Sequence, residues 1–272
     1  LITKVSAAWT GPAGPKLRLL PEQIKLDDVR SMAGVSAEAP GSRLLVGINE
    51  RELAPVSIDP DTEPHLLVFG DGQSGKSALL RAYAREIMRT RTPKQAQLVV
   101  VDYRRSLLGE IPDEYLLNYL TSATQAAPAL KDLASYLESR LPGPDVTPEQ
   151  LRNRNWWTGA EVFVLVDDYD LVATQQGSPV HVLQPLLAQA RDTGLHLVVA
   201  RRAGGASRSL YEPIIQTMRD LAMPGVLLSG DPAEGQLIGN VRAVPAPPGR
   251  ARIITRDRGA EVVQLAWSEP TL

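Results

Sequence analysis

The segment 65-HLLVFGDGQSGKSALLRAYAREI-87 restricts this chain more than any other. An apolar run stops at Gly70, the loop Gly70-Asp71-Gly72-Gln73-Ser74-Gly75-Lys76-Ser77 follows, and a helical repeat begins at once. Strand, glycine loop and helix in that order satisfy the full G-x-x-x-x-G-K-[ST] pattern of a phosphate-binding loop. Each part has a physical reason. Gly70, Gly72 and Gly75 are expected to take positive φ and bring backbone N–H groups close to phosphate oxygens. The helix opening near Lys76 adds its positive dipole end. Lys76 is expected to reach the β- and γ-phosphates of ATP, and Ser77 to ligate Mg²⁺. The candidate nucleotide contacts are Gly70, Asp71, Gly72, Gln73, Ser74, Gly75, Lys76, Ser77 and Ala78. A plain glycine turn ahead of a helix is the simpler alternative, and the ordered strand–loop–helix setting outweighs it.

A second apolar strand ends in acid, 162-VFVLVDDYD-170. A Walker-B element needs such a strand to deliver a carboxylate beside the metal, and Asp167 is placed for it. Asp168 would then hold or deprotonate the attacking water, making it, with Lys76, the candidate catalytic residue. The alternative is a solvated carboxylate pair at a strand end. Many motors of this type carry Glu at the second position. Asp is shorter by one C–C bond, about 1.5 Å, and a misplacement of around 1 Å can cost roughly 10²-fold in rate. Slow or absent hydrolysis is therefore expected.

Elsewhere, apolar runs at 66–69, 97–101, 162–166, 195–200 and 226–229 alternate with helical patterns, the signature of a parallel sheet covered by helices. Their near-continuous Val and Leu suits strands buried on both faces. Leu79, Leu80, Tyr83 and Ile87 lie on one face of the helix after the loop. Leu130, Leu133, Leu137 and Leu141 form a second stripe, Thr147-Pro148-Glu149-Gln150 reads as a capping box, and Ser178-Pro179 opens a helix carrying Leu183, Leu186, Leu187 and Ala190. Residues 251–267 read as a terminal β-hairpin around Asp257-Arg258-Gly259. Residues 1–64, rich in Pro and Gly, read as a lead-in with short strands at 43–47 and 54–58, and residues 65–272 as the nucleotide-binding domain.

Composition adds limits. With 29 Lys plus Arg against 31 Asp plus Glu, the net charge of −2 does not imply a nucleic-acid-binding surface. No cysteine is present, so disulfides and thiolate metal sites are excluded. No apolar run approaches the roughly 20 residues that span a bilayer, and the start at Leu1 reads as a fragment of something longer, so any membrane anchor is expected outside it. His65, His181 and His196 lack ligand spacing and read as ordinary polar positions. Arg81, Arg85 and Arg89 read as a solvated helix face rather than a DNA stripe, and Trp156 and Trp157 as packing residues.

The 70–77 loop, 98-LVVVDYRR-105, 162-VFVLVDDYD-170 and 194-GLHLVVARR-202 stand in the order found in FtsK/SpoIIIE-type motor ATPases, which the chain resembles. With 45-LVGINERELAPVSID-59, 229-SGDPAEGQLIGNVRA-243 and 247-PPGRARII-254, it is similar to one branch, the EccC ATPases of type VII (ESX) secretion. The resemblance covers most of residues 16–267. It implies a RecA-like P-loop NTPase fold and a place as a distal ATPase domain of a longer, membrane-anchored protein on the cytoplasmic face of the bacterial inner membrane. It also implies ring or stack assembly with other ATPase domains. The implied cargo is small WXG-type proteins read through a C-terminal signal. Where FtsK-type motors usually place a polar sensor pair, this chain has Arg201 and Arg202, which with Asp168 suggests a degenerate motor. Three readings follow: an ATP-binding secretion domain, a nucleotide-regulated cargo-binding module without hydrolysis, and a DNA translocase, which the net charge disfavours.

Overall fold

A computed structural model describes residues 7–11, 19–35, 43–174 and 177–271. Most of the Pro/Gly-rich stretches at 11–15 and 39–41 lies outside them. The strands are β1 (Ile24–Lys25), β2 (Leu44–Asn49), β3 (Pro55–Ile58), β4 (His65–Phe69), β5 (Ala96–Val101), β6 (Leu116–Leu120), β7 (Glu161–Val166), β8 (Leu195–Arg201), β9 (Gly225–Leu227), β10 (Gln236–Ile238), β11 (Val241–Arg242), β12 (Arg250–Thr255) and β13 (Gly259–Trp267). The helices are α1 (Leu26–Met32), α2 (Lys76–Thr90), α3 (Ala123–Glu138), α4 (Pro148–Asn153), α5 (Tyr169–Val172), α6 (Ala190–Thr193), α7 (Ala206–Ser209) and α8 (Pro213–Asp220).

One sheet runs in the order β3-β2-β13-β12-β9-β4-β8-β7-β5-β6, with β1 on β13, while β10 and β11 form a separate ribbon. From β9 to β6 every neighbour is parallel. From β9 outward through β12, β13, β2 and β3 every pair is antiparallel. The expected terminal hairpin is therefore β12–β13, and it joins the parallel strands to the two strands of the lead-in.

Alternation along the parallel strands explains why both faces are apolar. Leu67, Phe69, Val99, Val101, Val164 and Val166 point to the core under α3 and α8. Leu66, Val68, Leu98, Val100, Phe163 and Leu165 point to the core under α2. Full burial of each such side chain is worth roughly 1.5–3 kcal/mol, so a shift of one residue in register would exchange the two faces. The α2 residues Leu79, Leu80, Tyr83 and Ile87 all enter the second core.

Local signals fared unevenly. The capping box forms, with Thr147 and Gln150 exchanging bonds at the start of α4. The helix expected from Ser178 does start there, but residues Pro179–Gln189 form a 3₁₀ helix. Pro185 has no N–H to give, and Val180, Leu183 and Leu186 recur every three residues, which suits three residues per turn. The α3 helix ends at Glu138, before Leu141.

The solvated arginine face is corrected by the structure. Arg81 is 7% exposed and pairs with Glu110 at 2.8 Å, and Arg85 pairs with the same carboxylate at 2.9 Å. Arg89 pairs with fully buried Glu86. Arg81 and Arg85 also hold the carbonyls of Ser268 and Glu269, fixing the segment after β13 against α2. His65 and His196 are likewise buried in the sheet rather than ordinary polar positions. Trp156 and Trp157 do pack, each with its indole N–H donating to a backbone carbonyl, of Arg140 and Asp192.

Candidate nucleotide site

The loop hangs from the carboxyl end of β4, between the ends of β8 and β9. Gly70 N donates to Arg201 O at 3.1 Å and Asp71 N to Ser229 O at 2.8 Å. Gly249 N donates to Ser74 O at 2.8 Å, tying the far side of the loop to the segment before β12. The glycine expectations hold only in part. Gly75 has φ +115, but Gly70 and Gly72 are not in the left-handed region, and a non-glycine, Gln73, is at φ +59. Gly70 is required for space: a Cβ there would come within 2.4 Å of Ser74 Oγ and 2.7 Å of Leu228 Cβ. A Cβ on Gly72 would meet nothing within 4 Å.

Lys76 is buried, and its Nζ donates to Gly70 O and Asp71 O, both at 3.1 Å. Ser77 Oγ donates to Asp167 Oδ2 at 2.6 Å. The α2 N-terminus has no side-chain cap and no acid in its first turn, so its leading N–H groups keep their affinity for an anion.

Asp167 directly follows β7 and is 1% exposed. Burial, reinforced by Asp168 and Asp102 and opposed by the Ser77 hydroxyl, pushes its carboxyl up to about 6. Asp168 follows at φ +44, a strained position that short polar side chains tolerate. Its Oδ1 lies 3.7 Å from Lys76 Nζ and its Oδ2 lies 2.9 Å from Arg104 Nε. Arg104 and Asp102 were not singled out from sequence, although an acid directly after β5, matching Asp167 after β7, was the available signal. Buried Asp102 accepts bonds from Arg104 N, Leu107 N and Tyr119 OH. Arg201, at the expected sensor position, is buried and faces Glu212 at 3.5 Å, while Arg202 N donates to Asp170 Oδ1.

The donor set fits a polyphosphate with a divalent cation. An uncapped helix start and a buried lysine face one region, a side chain at Gly70 would clash, and a half-buried hydroxyl paired with a buried carboxylate stands beside them. A cavity of about 530 Å³ adjoins the helix start, lined by Gly75, Ala78, Leu79, Gly249, Gln264 and Trp267 among others. Among the described residues, no cluster of His, Asp and Glu forms a separate metal site.

The FtsK/SpoIIIE family profile matches residues 36–156. Over 268 residues, 98% of this chain, the sequence is 46% identical to the ESX secretion system protein EccC of Thermomonospora curvata, and covers 20% of that protein. It is also 46% identical over 259 residues to the ESX-4 secretion system protein EccC4 of Mycobacterium tuberculosis, covering 95% of this chain and 21% of that protein. The chain carries an FtsK/SpoIIIE domain. It spans about a fifth of the length of these two relatives. The FtsK/SpoIIIE fold is matched in three dimensions by T. curvata EccC (ATPases 2 and 3) in complex with a signal sequence peptide. That match has a TM-score of 0.90 and 46% identity, and covers 98% of this chain and 47% of that one. In this FtsK/SpoIIIE domain the 70–77 loop, Asp167 after β7 and Arg201 at the end of β8 all lie at the carboxyl ends of the parallel strands. Parallel α/β folds bind ligands at that edge.

Proposed function

We propose that this domain binds Mg-ATP on the 70–77 loop and serves as one ATPase domain of a type VII secretion motor that recruits or translocates small WXG-type cargo. The observation that carries the nucleotide half is the Ser77–Asp167 hydrogen bond, which joins the phosphate loop to the acid strand. The secretion half is supported by the 46% identity to EccC proteins.

In this reading Lys76 exchanges its two carbonyl partners for phosphate oxygens, and the first-turn N–H groups of α2 face the same anion. Ser77 and Asp167 hold the cation, Asp168 positions water, and the cavity beside Gly75 receives the nucleoside. A bound magnesium nucleotide supplies a cleavable phosphoanhydride and a charge that favours one subunit arrangement over another. Residues 65–272 form the ATPase unit, and residues 1–64 are its lead-in. The partners are further ATPase domains, a homo-oligomeric assembly and the C-terminal signal of the cargo. The membrane is reached only through other parts of a longer protein, on its cytoplasmic face. Among the described residues no helix is long and apolar enough to cross a bilayer.

A second reading, a nucleotide-regulated cargo-binding module, is favoured by one observation. Both carboxylate oxygens of Asp168 are already engaged by cations. Turnover separates the two. Incubation with Mg-ATP and a C-terminal cargo peptide should yield ADP slowly if the domain is a motor. Intact ATP after hours, with the chain oligomerised, would leave the module reading.

A further inference from the structure

Asp168 is the acid that the nucleotide reading assigns to water, yet neither of its oxygens is free. Oδ1 faces Lys76 at 3.7 Å and Oδ2 is paired with Arg104 Nε at 2.9 Å. The two contacts differ in what holds them. Lys76 is drawn to phosphate when nucleotide binds, whereas Arg104 is anchored from its own side. Asp102 Oδ1 accepts from Arg104 N, and Asp102 Oδ2 accepts from Leu107 N and Tyr119 OH. The next residue, Arg105, sits at φ +61 with its N–H on Asp102 O. This turn fixes the backbone from which Arg104 reaches Asp168 through Nε, and a guanidinium stays charged and hydrogen-bonds a carboxylate with directed N–H groups where an ammonium acts as a point charge.

We propose that Arg104 is a positioning residue that restrains hydrolysis: it keeps the Asp168 carboxylate turned into an ion pair, so that bound nucleotide is held longer than it is cleaved. The inference rests on the nucleotide reading of the 70–77 loop. Arg104 is 57% solvent-exposed, so its removal opens no cavity, and its cost falls on Asp168 rather than on the core. A carboxylate freed from the pair regains an oxygen with which to orient or deprotonate water.

The test compares the unaltered chain with Arg104→Ala, Arg104→Lys and Arg104→Ala/Asp168→Asn. Two quantities are read for each: affinity for a non-hydrolysable ATP analogue with Mg²⁺, and kcat for ATP. Arg104→Ala should raise kcat by at least about tenfold and move analogue affinity by less than about fivefold. Arg104→Lys should restore most of the restraint, and Asp168→Asn in the Ala background should abolish the gain. Unchanged or lower kcat in Arg104→Ala with analogue binding intact would overturn the inference alone. Failure of the unaltered chain to bind the analogue would overturn the nucleotide reading and the inference with it.

Discussion

The Ser77 hydroxyl donates to Oδ2 of Asp167 at 2.6 Å, across 90 positions of sequence. The bond ties the first turn of α2 to the end of β7, two strands away from β4 in the sheet. It also leaves a charged carboxylate in a site almost without solvent, an arrangement that stability alone does not favour.

Asp167→Asn tests that cost. Holding the carboxyl near 6 instead of 3.8 disfavours the folded state by about 3 kcal/mol at neutral pH. The sign follows from the raised value: the folded chain binds the proton more readily, so the penalty is present above pH 6 and fades below it. The Asn variant should melt higher than the parent at pH 7.5, and its ATP affinity should lose dependence on Mg²⁺. Thermal unfolding and titration with and without a chelator measure both.

Two glycines in one motif should behave differently. Gly70→Ala drives a methyl group into Ser74 Oγ and Leu228, an overpacking that costs about 1–3 kcal/mol and deforms the loop. Gly72→Ala meets open space. Nucleotide titration of both variants should show binding lost in the first and kept in the second; equal losses would contradict the geometry.

His65 gives the fold a pH dependence. Its Nε2 donates to Leu187 O and its Nδ1 accepts from Leu197 N, so the neutral ring satisfies both neighbours and a second proton would displace the Leu197 N–H. Burial lowers its pKa to about 4. As pH falls from 6.5 towards 4, the unfolded chain takes up a proton that the folded chain refuses, and stability is lost. His65→Leu removes this term. Relative to that variant, the parent should lose about 3 kcal/mol across the window, read by urea unfolding at each pH.

Glu110 bridges two arginines of α2 and accepts the backbone N–H of Thr271. Glu110→Ala strands buried Arg81 without its partner and should cost about 3 kcal/mol. The segment after β13 should become sensitive to limited proteolysis in the same variant. A melt equal to the parent's would show that the pairs contribute nothing net.

What could be read in advance follows from range. Strands β4, β5, β7 and β8 announce themselves through consecutive Val and Leu, and the loop through glycine spacing, because both are local. Edge strand β6 carries exposed Leu117 and Asn118 and gave no such pattern. Partnerships across distance were silent: Arg81 with Glu110, 29 positions apart, looked like surface, and Arg104 beside Asp168 depends on β5 and β7 being neighbours. Positive φ, expected at Gly70, Gly72 and Gly75, is found only at Gly75 of the three, and the non-glycine Gln73 takes it within the same loop.

Whether the 70–77 loop holds magnesium nucleotide through Lys76 is decided by calorimetric titration of Mg-ATP into the parent chain and into Lys76→Ala. The parent should bind saturably and the variant at least about tenfold more weakly, the loss expected for one charge-assisted contact, with both chains equally folded by circular dichroism. Equal affinities, or no heat in either chain, would remove Lys76 and the loop from nucleotide binding.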